Sequence, residues 1–474
     1  MATAQQAGER RSLHRGALRP VNVLAIAIAA ISPTTSVFLV YGAGLASAGT
    51  GVIWAFLIGA VIALAMAYCY AEVGGVFPSA GGAYTIVRRA LGPVWGGVAT
   101  VMFLLLGIVV TASILVASAT YLVQLTGANL PVNWVAFGMM VLVTALSVEK
   151  ISPTSWVTGL MLVIELTVII VFTVFCFAHV SLGSNPFTHP SLPASHGSGL
   201  IAVGAAGMIS AIVPALFAFN GYDWPLYFAE ESRGARRSLP RAVMVAALVS
   251  VVVEVLAVIA ATYAIHGLSG TAASAAPLSL IAARVMGSVG AKILLVGVVI
   301  AMFDTGLAGN LAYARIYYAA ARDGMWPKPL NGLFGHLSQR SQVPVWGFAV
   351  LFVGNSILCI FTSLNNLITF TGVVIVAVYL LVAVSALVSR IRDRGLARTF
   401  RMPLWPLPPL VAIAGVIIAL TQQAARDLWI TFGIGAVSFA VYFLARRRLP
   451  GRLDGDSGAS TTPAAVASEV EGAA

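Results

Sequence analysis

Twelve apolar runs, most of them about twenty residues or longer, divide the sequence near 21–44, 50–73, 94–125, 131–149, 153–179, 200–229, 241–265, 291–320, 344–363, 367–390, 404–422 and 427–446. A run of that length crosses a hydrocarbon core of roughly 30 Å as an α-helix, and in lipid only helices and closed barrels satisfy their own backbone. The runs therefore predict an all-α integral membrane protein of twelve transmembrane helices. Composition agrees: 59% of the 474 residues are apolar and 9% charged, whereas a soluble domain carries about 25% charged residues. An ordinary water-soluble enzyme is excluded. Cys69, Cys176 and Cys359 all fall inside apolar runs without metal or redox spacing, and read as packing residues.

The net charge of +11 is spread between the runs rather than gathered on one face, so it reports topology and not a nucleic-acid partner. Of the 27 Lys and Arg residues, 24 fall at one end of the spans; Arg284, Lys292 and Arg426 fall at the other. The positive-inside rule then places both termini and the basic loops in the cytoplasm, in a multi-pass protein of the cell membrane. Residues 1–20 form a cytoplasmic tail whose basic end leads into a run too long for a cleaved signal peptide. Residues 21–390 hold the first ten runs, in two sets of five at about 21–179 and 200–390, and 391–446 supply the last two helices. The tail 447–474 is small, acidic after Arg452 and free of aromatic anchors, so it is expected to be disordered. His179, His189 and His196 border or occupy a polar outer loop near 180–199 at irregular spacing, which fits solvated side chains better than a proton sensor.

Two runs are interrupted near their middles. The first carries Ser32-Pro33-Thr34-Thr35-Ser36; the sixth carries Phe217-Ala218-Phe219-Asn220-Gly221-Tyr222-Asp223-Trp224-Pro225. One such patch reads as a kink, since proline removes a helical hydrogen bond. Two, each in the first helix of a five-helix half, point to a transporter site between inverted repeats. A broken helix exposes N–H groups that attract a carboxylate and C=O groups that attract an ammonium. Such a site suits a small zwitterion such as an amino acid, leaving neighbouring spans to judge its side chain.

These residues, with several motifs, resemble the amino acid, polyamine and organocation permease superfamily over roughly residues 20–446. Ala71-Glu72-Val73 followed by Phe77-Pro78-Ser79-Ala80-Gly81-Gly82-Ala83-Tyr84 is similar to a family signature, as are the sixth run with Arg236-Arg237-Ser238-Leu239-Pro240-Arg241-Ala242 after it, Ala321-Arg322-Asp323-Gly324-Met325-Trp326-Pro327, and Phe400-Arg401-Met402-Pro403. The resemblance implies two inverted five-helix repeats plus two additional helices, with helices one and six broken, working by alternating access. It implies that Ser32, Pro33, Thr34, Thr35 and Ser36 hold a substrate carboxylate. It likewise implies that the backbone of Phe217, Ala218, Phe219, Asn220 and Gly221 holds the amine, with Phe217 closing over the substrate or simply packing the core. The first break departs from the Gly-Ser-Gly run of many relatives, so the Thr34, Thr35 or Ser36 hydroxyls are expected to contribute.

Glu165, Asp223, Glu254 and Asp304 lie near mid-depth with no Lys or Arg at a comparable level. Buried charges there cost about 2.5–3.5 kcal/mol or more and usually face a pathway. Proton coupling is the first expectation, with Asp223 foremost because it follows the Gly221 break and matches the family's acidic position. The alternative is that Asp223 caps the second half-helix. Asp304, with Thr305 and Asn310, offers oxygens for sodium, a proton site or structural polarity. The fifth span has no lysine, the residue that replaces sodium in some proton-coupled relatives, so the coupling ion stays open. At the basic end, Glu72, Glu230 and Glu231 are expected near Arg88, Arg89, Arg233, Arg236 and Arg237, as gate pairs or as interfacial bridges of about 0–1 kcal/mol.

No phosphate loop, metal-spaced histidines, nucleophile elbow or nucleotide glycine run occurs, so ATP-driven pumping and enzymatic chemistry are not expected and no cofactor or metal is implied. No filter loop or repeated pore segment suggests a channel. The remaining readings are an amino acid permease in the lipid bilayer, an amino acid exchanger, an amine or polyamine carrier, and a substrate-sensing receptor.

Overall fold

The structure, a computed structural model, describes residues 20–79, 81–148, 155–194, 199–338 and 343–448. Ala80, Lys150, His196, Arg340 and all but the first residues of the expected carboxyl-terminal tail lie outside the described residues, as do residues 1–19 of the amino-terminal one. The first half comprises α1 (Pro20–Ile31), α2 (Pro33–Ala48), α3 (Val52–Val76), the short α4 (Gly82–Leu91), α5 (Pro93–Thr126), α6 (Val132–Val148) and α7 (Ser155–Ala178). The second comprises α8 (Ala205–Ser210), α9 (Ile212–Ala218), a 3-10 turn (Trp224–Phe228), α10 (Ala235–Tyr263), α11 (Leu268–Ala272), α12 (Pro277–Arg322), α13 (Lys328–Phe334), α14 (Val345–Phe361) and α15 (Leu364–Arg392). Then follow α16 (Leu407–Leu420) and α17 (Ala425–Arg448), which continues past the expected start of the tail at 447.

Among the described residues, seven helical stretches are long and apolar enough to cross a membrane, the first of them Val23–Val76, and four shorter apolar helices accompany them. Each expected apolar run falls on one or more of these helices. The protein is a multi-pass helical membrane protein. Its outward surface is apolar where lipid would lie, with Val163, Val289, Ile293 and Trp429 all strongly exposed.

Local chemistry explains several helix starts. Proline stands at the start of α2, α5 and α12, where its missing N–H costs nothing. α12 turns at Gly287 (φ 71). In the core, α12 runs along α5 and α10 along α3. The first contact is close because α5 and α12 present glycines to each other's side chains: a Cβ at Gly107 would lie 2.8 Å from Tyr313, and one at Gly306 would lie 3.1 Å from Leu115.

The expected outer loop contains a small antiparallel hairpin, β1 (Ser191–Pro193) with β2 (Leu200–Ala202). It is pinned to the turn after α2, where the Ser191 N–H donates to Thr50 Oγ1 at 2.8 Å. His179 is exposed and bonds the Phe175 carbonyl through Nδ1 at 2.9 Å.

Candidate functional site

The first break is a single residue. Ser32 takes a left-handed conformation (φ 49), stopping α1, and Pro33 starts α2. The second spans several residues: α9 ends at Ala218, Gly221 takes φ 124, and the chain resumes as the 3-10 turn at Trp224. Beyond the break the chain runs as a 3-10 turn, with Pro225 in its first turn.

The two breaks meet. A Cβ at Gly221 would sit 2.9 Å from both Ala30 O and Ile31 Cα, so only glycine permits this approach. Ser36 Oγ lies 2.9 Å from Ile31 O and 2.7 Å from Ala218 O, offering one proton to the carbonyl ends of both α1 and α9. A hydroxyl chain reaches across to α12: Ser32 Oγ donates to Thr35 Oγ1 (2.6 Å), Thr35 and Thr305 hydroxyls are 3.1 Å apart, and Thr305 donates to Ala301 O (2.8 Å). Because Thr305 spends its proton on Ala301, Thr35 is the donor to Thr305.

A small cavity of about 20 Å3 lies at this junction, room for about one water. Its polar side is Ala30, Ile31, Thr35, Ser36, Asn220 and Thr305; its apolar side is Leu39, Val110, Ile114, Phe217 and Trp224. Phe217 and Asn220 therefore reach the cavity, while Ala218 contributes its carbonyl through Ser36. Phe219 turns away, its ring 5.7 Å from Phe56 in the core. Among the described residues, Pro33 and Thr34 are not in the wall of the cavity. The Asn220 amide donates to Tyr379 Oη (3.2 Å), bringing α15 to the site.

Of the four mid-depth acids, Glu165 touches a break directly. Its Oε1 accepts the Thr34 N–H (3.3 Å), the first free amide of α2, and its carbonyl accepts the Thr34 hydroxyl (2.8 Å). Asp223 does not cap the 3-10 turn; its Oδ2 accepts the Tyr227 hydroxyl (2.6 Å) and its Oδ1 is buried without a partner. Glu254 is fully buried, with Oε1 held by the Ser250 hydroxyl and Oε2 unpartnered. Asp304 is half-buried beside Thr305, and Asn310 donates to Ser147 Oγ at 2.9 Å. Among the described residues, no three His, Cys, Asp or Glu side chains are grouped to hold a metal ion.

Residues 18–443 match the amino acid permease family. The chain belongs to that family. The permease is 24% identical over 444 residues to the branched-chain amino acid permease BcaP of Bacillus subtilis, covering 87% of this chain and 90% of that one. It is 26% identical over 442 residues to BcaP of Lactococcus lactis subsp. cremoris, covering 88% and 92%. It is also 22% identical over 441 residues to the methylthioribose transporter of Bacillus subtilis, covering 87% and 90%. These relatives are transporters, not enzymes.

At its basic end the permease binds its helices together with ion pairs, several of them to arginines distant in sequence. Glu72, on α3 and buried, accepts Arg390 (2.6 Å), Arg398 (2.9 Å) and the Met402 N–H (2.7 Å). Glu230 takes both terminal nitrogens of Arg322 at 2.8 Å. Glu231 takes Arg315 (3.2 Å), whose guanidinium also lies 4.4 Å from the centre of the Phe228 ring. Arg88 pairs with Asp323 (2.9 Å), which also accepts the Tyr84 hydroxyl (3.0 Å). Burial pushes the Tyr84 hydroxyl well above the usual tyrosine range, so it stays a donor. Arg89 is exposed and contributes its carbonyl, to Arg392. The acids thus pair with arginines of α12, α15 and the segment beyond it, instead of Arg88, Arg89, Arg236 and Arg237 near them in sequence. Arg315 and Arg322 are seven apart, two turns on one helix face, which is why both meet the end of the broken sixth span.

Several site residues lay outside the sequence reading. Asp323 stood in a family motif without a role, and Arg390 and Arg398 counted only towards topology. Leu39, Val110 and Ile114 carry no signal beyond apolarity, because a cavity wall and a lipid face look alike in a run that is apolar all round.

Proposed function

We propose that this protein is a secondary transporter that carries α-amino acids across the cytoplasmic membrane by alternating access. In this reading the twelve spans are two five-helix halves of inverted orientation, each opening with a broken helix, followed by α16 and α17. The excess of Lys and Arg at one end, 24 of 27, supports a cytoplasmic position for both termini.

The observation that carries the proposal is the Ser36 hydroxyl between Ile31 O and Ala218 O, which opens both breaks onto one cavity. The amide end of α2 at Thr35 suits the substrate carboxylate, with the Ser36 N–H already donating to Ser32 O (2.9 Å), and the carbonyl ends of α1 and α9 suit its ammonium. A polyamine carrier has less support, because among the described residues no carboxylate lines the cavity. The partly exposed ion pairs of Glu230, Glu231 and Arg88 act as the cytoplasmic gate and must part for the inside to open, while the buried Glu72 cluster holds α3 in place.

Protons are the proposed coupling ion, with Glu165 and Asp223 as carriers. Glu165 in its charged form accepts from the amide end of α2 and ties α7 to the first break; protonation weakens that tie. Asp223 has one oxygen unoccupied at the second break. The test is uptake of a labelled amino acid and amine panel into proteoliposomes under an inward proton gradient, a sodium gradient or neither. Accumulation that collapses with the proton gradient supports symport. Uptake only into preloaded vesicles supports exchange, and binding without flux supports a receptor.

A further inference from the structure

The part of the cavity beyond the two breaks is built from Leu39, Val110, Ile114, Phe217 and Trp224, on α2, α5, α9 and the 3-10 turn. Val110 and Ile114 are four residues apart on α5 and so present one face. Among the described residues, no charged side chain lines the cavity. Its polar groups are already engaged: Thr35 with Thr305, Ser36 with two carbonyls, and the Asn220 amide with Tyr379. Trp224 Nε1 is buried without a partner, which leaves a single N–H donor that cannot neutralise a charged side chain.

The wall is also braced from behind. A Cβ at Gly309 on α12 would lie 3.0 Å from Trp224 Cη2, and the Trp224 ring packs edge-on against Tyr313 with centroids 5.7 Å apart. A Cβ at Gly306 would lie 3.9 Å from Ile114 Cγ2. Trp224 is thus held against α12 by Gly309 and Tyr313, and together with Ile114 on the facing α5 it sets the depth available to a substrate.

We infer that this permease selects amino acids with uncharged aliphatic side chains, and that Val110, Ile114 and Trp224 set the upper limit on side-chain size. The inference rests on the proposal that the amino acid binds between the two breaks, and adds what its side chain must be. A charged or hydroxylated side chain would lose its water here and find its partners already taken, whereas a branched hydrocarbon fills the wall.

The test is competition against labelled leucine uptake in proteoliposomes, comparing valine, isoleucine, leucine and methionine with serine, lysine, glutamate and phenylalanine. The aliphatic set should compete within a few-fold of one another, and the remainder should need roughly tenfold or more higher concentration. Ile114→Ala should bring phenylalanine up by roughly tenfold relative to valine. Gly309→Ala, which drives the indole into the cavity, should favour valine over leucine. Serine, lysine or glutamate competing as well as leucine overturns the side-chain assignment while leaving amino acid transport intact. An unchanged ranking in both variants, each still transporting, overturns the roles of Ile114 and Trp224. Absence of flux for every amino acid contradicts the transport proposal itself.

Discussion

At Ser36 a single hydroxyl proton faces two carbonyl oxygens that belong to different halves of the chain. Ser36→Ala leaves Ala218 O without that donor, and a net hydrogen bond contributes about 0.5–1.5 kcal/mol. The expected result is a rise in KM of up to roughly tenfold, read from initial uptake rates, with folding preserved. Gly221 is less forgiving, because an added Cβ meets the Ala30–Ile31 backbone at 2.9 Å from a positive φ. Gly221→Ala should abolish transport and lower the melting temperature of the purified protein; unimpaired uptake would show that the breaks need not touch. Glu165→Gln keeps an oxygen that can accept the Thr34 N–H and removes only the charge. It should lose accumulation driven by the proton gradient while retaining exchange, and undiminished accumulation would exclude Glu165 as the carrier. Sequence placed Asp223 ahead of Glu165 because Asp223 adjoins a break along the chain. Glu165 adjoins one only in space, 131 positions from Thr34, and no local pattern carries that distance.

The broken helices were legible as elements because proline and glycine, set among hydroxyl residues inside an apolar run, interrupt the helical hydrogen-bond ladder wherever they fall. The form of the second break was not, since the local residues from Gly221 to Phe228 suit an α-helical or a 3-10 turn alike. Helix ends at the basic side were legible as charged and illegible as paired, because partners such as Glu72 and Arg398 stand 326 positions apart. Those pairs also differ in worth. The Glu72 side chain is fully buried and that of Arg398 is 5% exposed, and breaking a buried pair costs about 3–5 kcal/mol through the charge left behind. Arg88 and Asp323 are 18% and 20% exposed, a setting nearer the 0–1 kcal/mol of surface pairs. Arg398→Ala should therefore lower the melting temperature clearly and Arg88→Ala only slightly, as followed by tryptophan fluorescence in detergent. Equal shifts would mean that the Glu72 cluster does not anchor α3 to the α15–α16 connection.

For the molecule as a whole, one set of contacts fixes the breaks together at mid-depth while another clasps the helices at the basic end. The proposed alternating access requires part of the second set to open without destroying the first, and the proposed gate is made of partly exposed charges that water can take over. The cavity between the breaks has room for about one water, so substrate binding must widen it by moving Phe217, Leu39 or the spans behind them. The central claim is that both head groups of an amino acid are held there by the ends of broken helices. The most direct test is equilibrium binding to the purified permease of one transported amino acid, its decarboxylated amine and its deaminated acid, each measured by competition. The account predicts that the amino acid binds and that removing either group weakens binding by roughly tenfold or more, the loss expected when a site built to hydrogen-bond a group finds it missing. An amine that binds as tightly as the amino acid would contradict it.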